Sequence, residues 1–176
     1  MNRIMIMLVL CLCVLTIPFF TSEAMGVSQG ELKCIITDSG IYTNAPGKKV
    51  SAPGTPSGVT EILPDKVDFT MQSHKIPAKL GINFGFRFTV TGLPPMTNVN
   101  FRKVVTYPAM HLPDGTISKN YETIITFKTS AEGTITNKVA GYGFDHPFEL
   151  VTGKWRFELW YGDRKLTEQV FDVVEP

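Results

Sequence analysis

The sequence predicts an all-β fold, an antiparallel sandwich of about eight strands preceded by a cleavable signal peptide. Apolar and polar residues alternate with a period of two in segment after segment, which is the pattern of half-buried strands. Gly- and Pro-rich turns separate these segments at regular intervals. No stretch carries the wider apolar spacing of an amphipathic helix. The 176 residues fit a single domain. A hydrophobic content of 43% is ordinary for a globular protein and too high for a disordered one. With 17 basic and 16 acidic side chains the net charge is +1, so the basic excess of nucleic-acid binders is missing and nucleic acid is not an expected partner.

The N-terminus sets the expected compartment. Arg3 supplies a positive start, residues 4–20 are almost wholly apolar, and Ser22-Glu23-Ala24 offers small residues where a signal peptidase cuts. Cleavage is expected after Ala24, leaving one domain over residues 25–176 with no membrane span and a periplasmic or secreted location. An uncleaved anchor is the competing reading, but the apolar run is at the short limit for crossing a bilayer and is broken by Pro18. Cys11 and Cys13 leave with the signal, so Cys34 remains alone and no internal disulfide can form. Its neighbours Leu32, Ile35 and Ile36 place it in a buried strand as a small hydrophobe, with no activating base nearby.

Along the mature chain, residues 32–37 form a first strand that can continue through Ile41 and Tyr42, and residues 67–71 a short second one. Residues 82–90 alternate most clearly. Ile82, Phe84, Phe86, Phe88 and Val90 share one face, and Gly85 on the other can leave a slot for an aromatic ring. Residues 99–107, 121–129 and 135–142 are further strands. Trp155, Phe157, Leu159 and Tyr161 then share a face opposite Arg156, Glu158 and Trp160. Gly162-Asp163 suits a two-residue hairpin turn, with residues 166–174 as the return strand. Residues 44–60 break the pattern. They hold three prolines, three glycines, Lys48 and Lys49 without hydrophobic period, and read as a long mobile or binding loop.

Motifs that carry chemistry are missing. There is no GxSxG elbow, no SxxK and no phosphate-binding glycine loop followed by a helix, so the protein is not expected to be an enzyme and no cofactor is implied. His74, His111 and His146 are far apart and lack the spacing that puts two ligands on one metal. With Met110 they form an alternative reading, a periplasmic copper- or zinc-binding protein, since thioether sulfur suits Cu(I). Met25, Met71 and Met96 are the remaining thioethers after signal removal.

Two segments carry a resemblance. They are residues 76–88, IPAKLGINFGFRF, and residues 149–158, ELVTGKWRFE, the latter continuing to Arg164, Lys165, Leu166 and Phe171. With Ser39-Gly40-Ile41-Tyr42 they resemble a family of exported bacterial proteins classed as a domain of unknown function. The resemblance covers roughly residues 35–175 and implies an immunoglobulin-like β-sandwich, but no catalytic residues. The expected role is a non-enzymatic exported binding or interaction module of the bacterial envelope, its partner a protein, glycan or envelope component. The expected surface combines the 44–60 loop, with Lys48 and Lys49, and a face carrying Arg87, Arg156, Glu158 and Trp160.

Overall fold

The computed structural model describes residues 30–64 and 66–176, so the expected signal at 1–24 lies outside the described residues. Among the described residues eleven strands and one 3₁₀ turn follow in chain order. The strands are β1 (Lys33–Asn44), β2 (Lys48–Ser51), β3 (Val59–Ile62), β4 (Val67–Met71), β5 (Lys75–Pro77), β6 (Asn83–Thr91), β7 (Asn98–His111), β8 (Ile117–Lys128), β9 (Ile135–Gly143), β10 (Gly153–Tyr161) and β11 (Arg164–Val174). The 3₁₀ turn is Pro147–Glu149, between β9 and β10. No helix among the described residues is long and apolar enough to cross a membrane.

One sheet has the order β4-β1-β6-β9, the other β5-β11-β10-β7-β8, and β2 and β3 form a separate hairpin. The period-two pattern explains the core. Phe84, Phe86, Phe88 and Val90 of β6 are all fully buried, and they meet Phe101 and Val105 of β7, Trp155, Phe157 and Leu159 of β10 and Phe171 of β11. Phe84 sits at the centre, its ring 5.7 Å from Trp155 and 5.4 Å from both Phe157 and Phe171, each edge-on. That is the arrangement aromatic quadrupoles prefer. The Trp155 indole N–H, which a buried tryptophan must satisfy, donates to the Val151 carbonyl at 2.9 Å. The hairpin of β10 and β11 closes between Tyr161 and Arg164, with Gly162 at φ 55 in its first central position. The left-handed backbone there is why glycine suits that position.

Several expectations change. Among the described residues the strand count is eleven rather than about eight, the additions being β2, β3 and β5. The three-residue β5 is too short to leave an alternating signature, and it pairs with β11 in parallel, so the sandwich is not wholly antiparallel. Residues 44–60 are not one structureless loop but contain β2 and lead into β3, paired from Lys48↔Ile62 to Ser51↔Val59. Composition hid these strands because Pro53, Pro56, Gly54 and Gly58 crowd the turn between them. Gly85 leaves no slot for a ring. A Cβ there would stand 2.3 Å from the Ala140 carbonyl oxygen and 2.5 Å from the Gly141 Cα, so backbone fills the space. Cys34 is only half-buried, and burial raises its thiol pKa to about 11, which keeps it a thiol at neutral pH.

Candidate binding cleft

The two sheets do not close along one side. There β9 is the edge of the four-stranded sheet and β8 the edge of the five-stranded one, and neither pairs with the other. The β2–β3 hairpin spans this opening. At one end Lys49 Nζ meets Asp145 Oδ2 at 3.1 Å, just beyond β9. At the other, a Cβ on Gly54 would lie 3.6 Å from the Glu122 carbonyl oxygen on β8. The turn is held by its own backbone: the Ala52 N–H donates to Gly58 O at 2.8 Å, and the Thr55 N–H to Ala52 O at 2.9 Å. The Gly47 N–H donates to the Glu61 carboxylate, fixing the base of the hairpin. Beneath it lies a cavity of about 480 Å³. Its walls come from the hairpin, from Tyr42 of β1, Lys103 of β7, Tyr121 to Phe127 of β8, and β9.

Lys103 is the chemical centre of this space. On β7 it falls in phase with Val99, Phe101, Val105 and Tyr107, so strand geometry turns it inward with the core residues, and only 7% of it is exposed. Its Nζ donates to the Gly141 carbonyl on β9 at 3.0 Å and lies 5.4 Å from the Tyr121 ring centroid. Among the described residues no carboxylate pairs with it. The acids lining the cavity are engaged elsewhere: Glu61 by Gly47, Asp145 by Lys49, and Glu149 by three donors. Desolvation without a counter-charge lowers the Lys103 ammonium to about 8.

Glu149 is nearly inaccessible at the end of the cavity. It accepts the Tyr142 hydroxyl at 2.7 Å and the Asp145 and His146 N–H groups at 2.7 Å each. These bonds knit the end of β9 to the 3₁₀ turn, and a carboxylate so occupied is structural. Tyr42 and Tyr121 are different. Both are buried, and burial pushes their hydroxyls above the ordinary phenolic range, with Glu61 adding to the effect at Tyr42 and the Tyr107 hydroxyl at Tyr121. Among the described residues neither hydroxyl has a hydrogen-bond partner, and both side chains line the cavity. The cleft thus offers an ammonium and two phenols against Val50, Val59, Ile62, Ile125 and Val139.

The residues expected to form one surface are divided. Arg156, Glu158 and Trp160 stand on β10, in the five-stranded sheet. There Arg156 Nε is 3.6 Å from Glu168, the Trp160 indole N–H donates to Glu158 at 2.9 Å, and the Arg102 guanidinium lies 4.8 Å from the Trp160 ring centroid. Arg87 is on β6, in the other sheet, where its Nε meets Asp38 at 2.9 Å and its guanidinium donates to Val67 O at 2.6 Å. It therefore cannot share a face with the other three. Lys49 does reach the cleft, and Lys48 is exposed beside it.

The metal alternative loses its ligand set. Met110 is fully buried in the core, while the three histidines are exposed at separate places. His74 packs edge-on to Phe171, His146 stacks on Phe148 at 5.2 Å, and His111 ends β7. No group of three or more His, Cys, Asp or Glu among the described residues could hold a metal ion. Sequence reasoning missed Lys103, whose signal was a lysine in phase with four apolar neighbours. Glu149 lies in a turn-rich stretch, where acids are usually structural, and it has that role here.

Comparison with known proteins places this architecture. The family described as Domain of unknown function (DUF3859) matches residues 33–173. An immunoglobulin-like protein from Pseudomonas aeruginosa, known from a crystal structure, is 26% identical, with 84% of this chain and 99% of that one covered and a TM-score of 0.59. CsgH from R. palustris is a distant match at 9% identity, with 81% and 92% coverage and a TM-score of 0.26. No curated protein matches.

Proposed function

The chain belongs to the DUF3859 family, and on that footing we propose that it is an exported, non-enzymatic immunoglobulin-like module of the bacterial envelope that binds a small ligand in the cleft under the β2–β3 hairpin. The observation that carries this reading is the cavity itself. Its volume of about 480 Å³ falls within the ~300–1,000 Å³ of small-molecule sites, and its lining mixes apolar side chains with polar and charged ones. The non-enzymatic part is supported by the site's chemistry. Its carboxylate Glu149 is occupied by three donors, and the three histidines lie outside the cavity lining, so neither offers a free general base there among the described residues. The outer charged surface around Trp160 fits a solvated face whose side chains satisfy one another.

The test is a fragment screen by amide NMR on labelled protein. Binders are expected to shift the amides of Tyr42, Tyr121, Gly141 and Tyr142 as a group. Shifts confined to Arg156, Glu158 and Trp160, or no binders at all, overturn the cleft reading. Export has its own check. Intact mass of the protein from the periplasmic or secreted fraction should correspond to a chain starting at Met25, and retention of residues 1–24 contradicts cleavage.

A further inference from the structure

Of everything lining the cleft, Lys103 is the feature the fold leaves incomplete. Buried charges are ordinarily paired or heavily hydrogen-bonded. Here a lysine with 7% exposure has one carbonyl acceptor, Gly141 O, and no carboxylate partner among the described residues. The hydroxyls of Tyr42 and Tyr121, the first with its Oη against the Gly141 backbone, line the same cavity without acceptors among the described residues. Three donors in one cavity, where Glu61, Asp145 and Glu149 are each engaged by other donors among the described residues, ask for an anion. Lys49 and Lys138 also line the cavity, the former paired with Asp145; the uncompensated Lys103 ammonium balances one negative charge, and the carboxylates Glu61 and Glu149 in the walls oppose a second. Part of the lining is aliphatic: Val50 and Ile62 of the hairpin with Ile125 and Val139 of the sheet edges, a surface that suits a hydrocarbon body.

Resting on the cleft reading, we propose that the ligand is an amphipathic monocarboxylate, its carboxylate held by Lys103 Nζ and the Tyr42 and Tyr121 hydroxyls and its alkyl chain lying under the β2–β3 hairpin. A carboxylate accepts at two oxygens and gains charge-assisted bonds from a lysine that is itself only 7% exposed. The alkyl chain covers apolar surface that the hairpin leaves accessible, Ile62 being 57% exposed.

The probes are decanoate and its neutral counterpart decan-1-ol, titrated below their aggregation limits and followed by calorimetry and amide NMR. Decanoate is expected to bind one per chain and shift the cleft amides. Lys103→Met should weaken it at least about tenfold, and Tyr121→Phe about threefold, with unchanged far-ultraviolet circular dichroism in both. Decan-1-ol should bind more weakly than decanoate and respond little to Lys103→Met. Equal affinity for acid and alcohol, or undiminished decanoate binding in Lys103→Met, overturns the proposal. If fragments mark the cleft but decanoate does not bind, the carboxylate assignment fails and the cleft stands. Decanoate shifts confined to other regions sink both.

Discussion

Phe84→Ala is expected to remove about 3–5 kcal/mol of folding stability, measured by denaturant melts of variant and wild type. The reason is position as much as size. Phe84 is fully buried, and its ring stands within 5.2–6.4 Å of five other aromatic rings drawn from both sheets, namely Tyr142, Phe144, Trp155, Phe157 and Phe171. Truncation removes the contact through which β6 meets β10 and β11, and rings held from two sheets cannot all collapse into the void. Ile124→Ala on β8 is the control. That side chain is 58% exposed, so its loss should change stability by less than about 0.5 kcal/mol. A Phe84 variant as stable as the Ile124 variant would mean that the two layers do not pack through β6.

That core was legible because period two is a strong signal. Phe84, Phe86 and Phe88 with a polar residue or glycine between them admit only a strand, and Trp155, Phe157 and Leu159 give the opposing layer. The hairpin at Gly162 followed from turn chemistry. Pairing between distant segments was not legible. Nothing in Lys75-Ile76-Pro77 announces a parallel partner, although Pro77 at the sheet's edge costs no interior hydrogen bond. The candidate surface failed for the same reason. Strand phase says that Arg87 faces away from Phe86 and Phe88, and that Trp160 faces away from Phe157 and Leu159. It does not say that the two strands belong to different sheets. The cleft depends on where two sheet edges end and how a Pro/Gly-rich hairpin folds across them, which is tertiary information. Lys103 lay in the sequence in full view, but an inward lysine draws notice only once its strand's phase is weighed residue by residue.

Lys103→Met is expected to stabilise the unliganded protein at pH 7 by about 1–3 kcal/mol, because replacing an unpaired buried charge with an apolar side chain of similar length removes a desolvation cost. The pH dependence identifies the cause. The folded-state value of about 8 lies below the ordinary lysine value, so between these limits the unfolded chain holds a proton that the folded chain has released. Stability attributable to Lys103 therefore rises with pH from about 8 to about 10.4, and the cost is present in full below that window. Tyr42, Tyr121, Tyr142 and Cys34 act in the opposite sense, since burial raises their values and their contribution is lost as the unfolded chain ionises. The quantity to follow is the difference between wild type and Lys103→Met, in which those four groups largely cancel. The advantage of the methionine variant should shrink steadily across the window. A constant difference would mean that Lys103 is solvated or paired in the folded state.

The most direct measurement is the titration of Lys103 itself, read from its side-chain Cε and Nζ resonances in the free protein, with Lys103→Met used for assignment. A buried ammonium without a counter-ion titrates at about 8, as the cleft geometry requires. Titration close to the ordinary lysine value of about 10.4 would show that water or an acid already satisfies it. In that event the cleft would have no vacant charge for a ligand to complete.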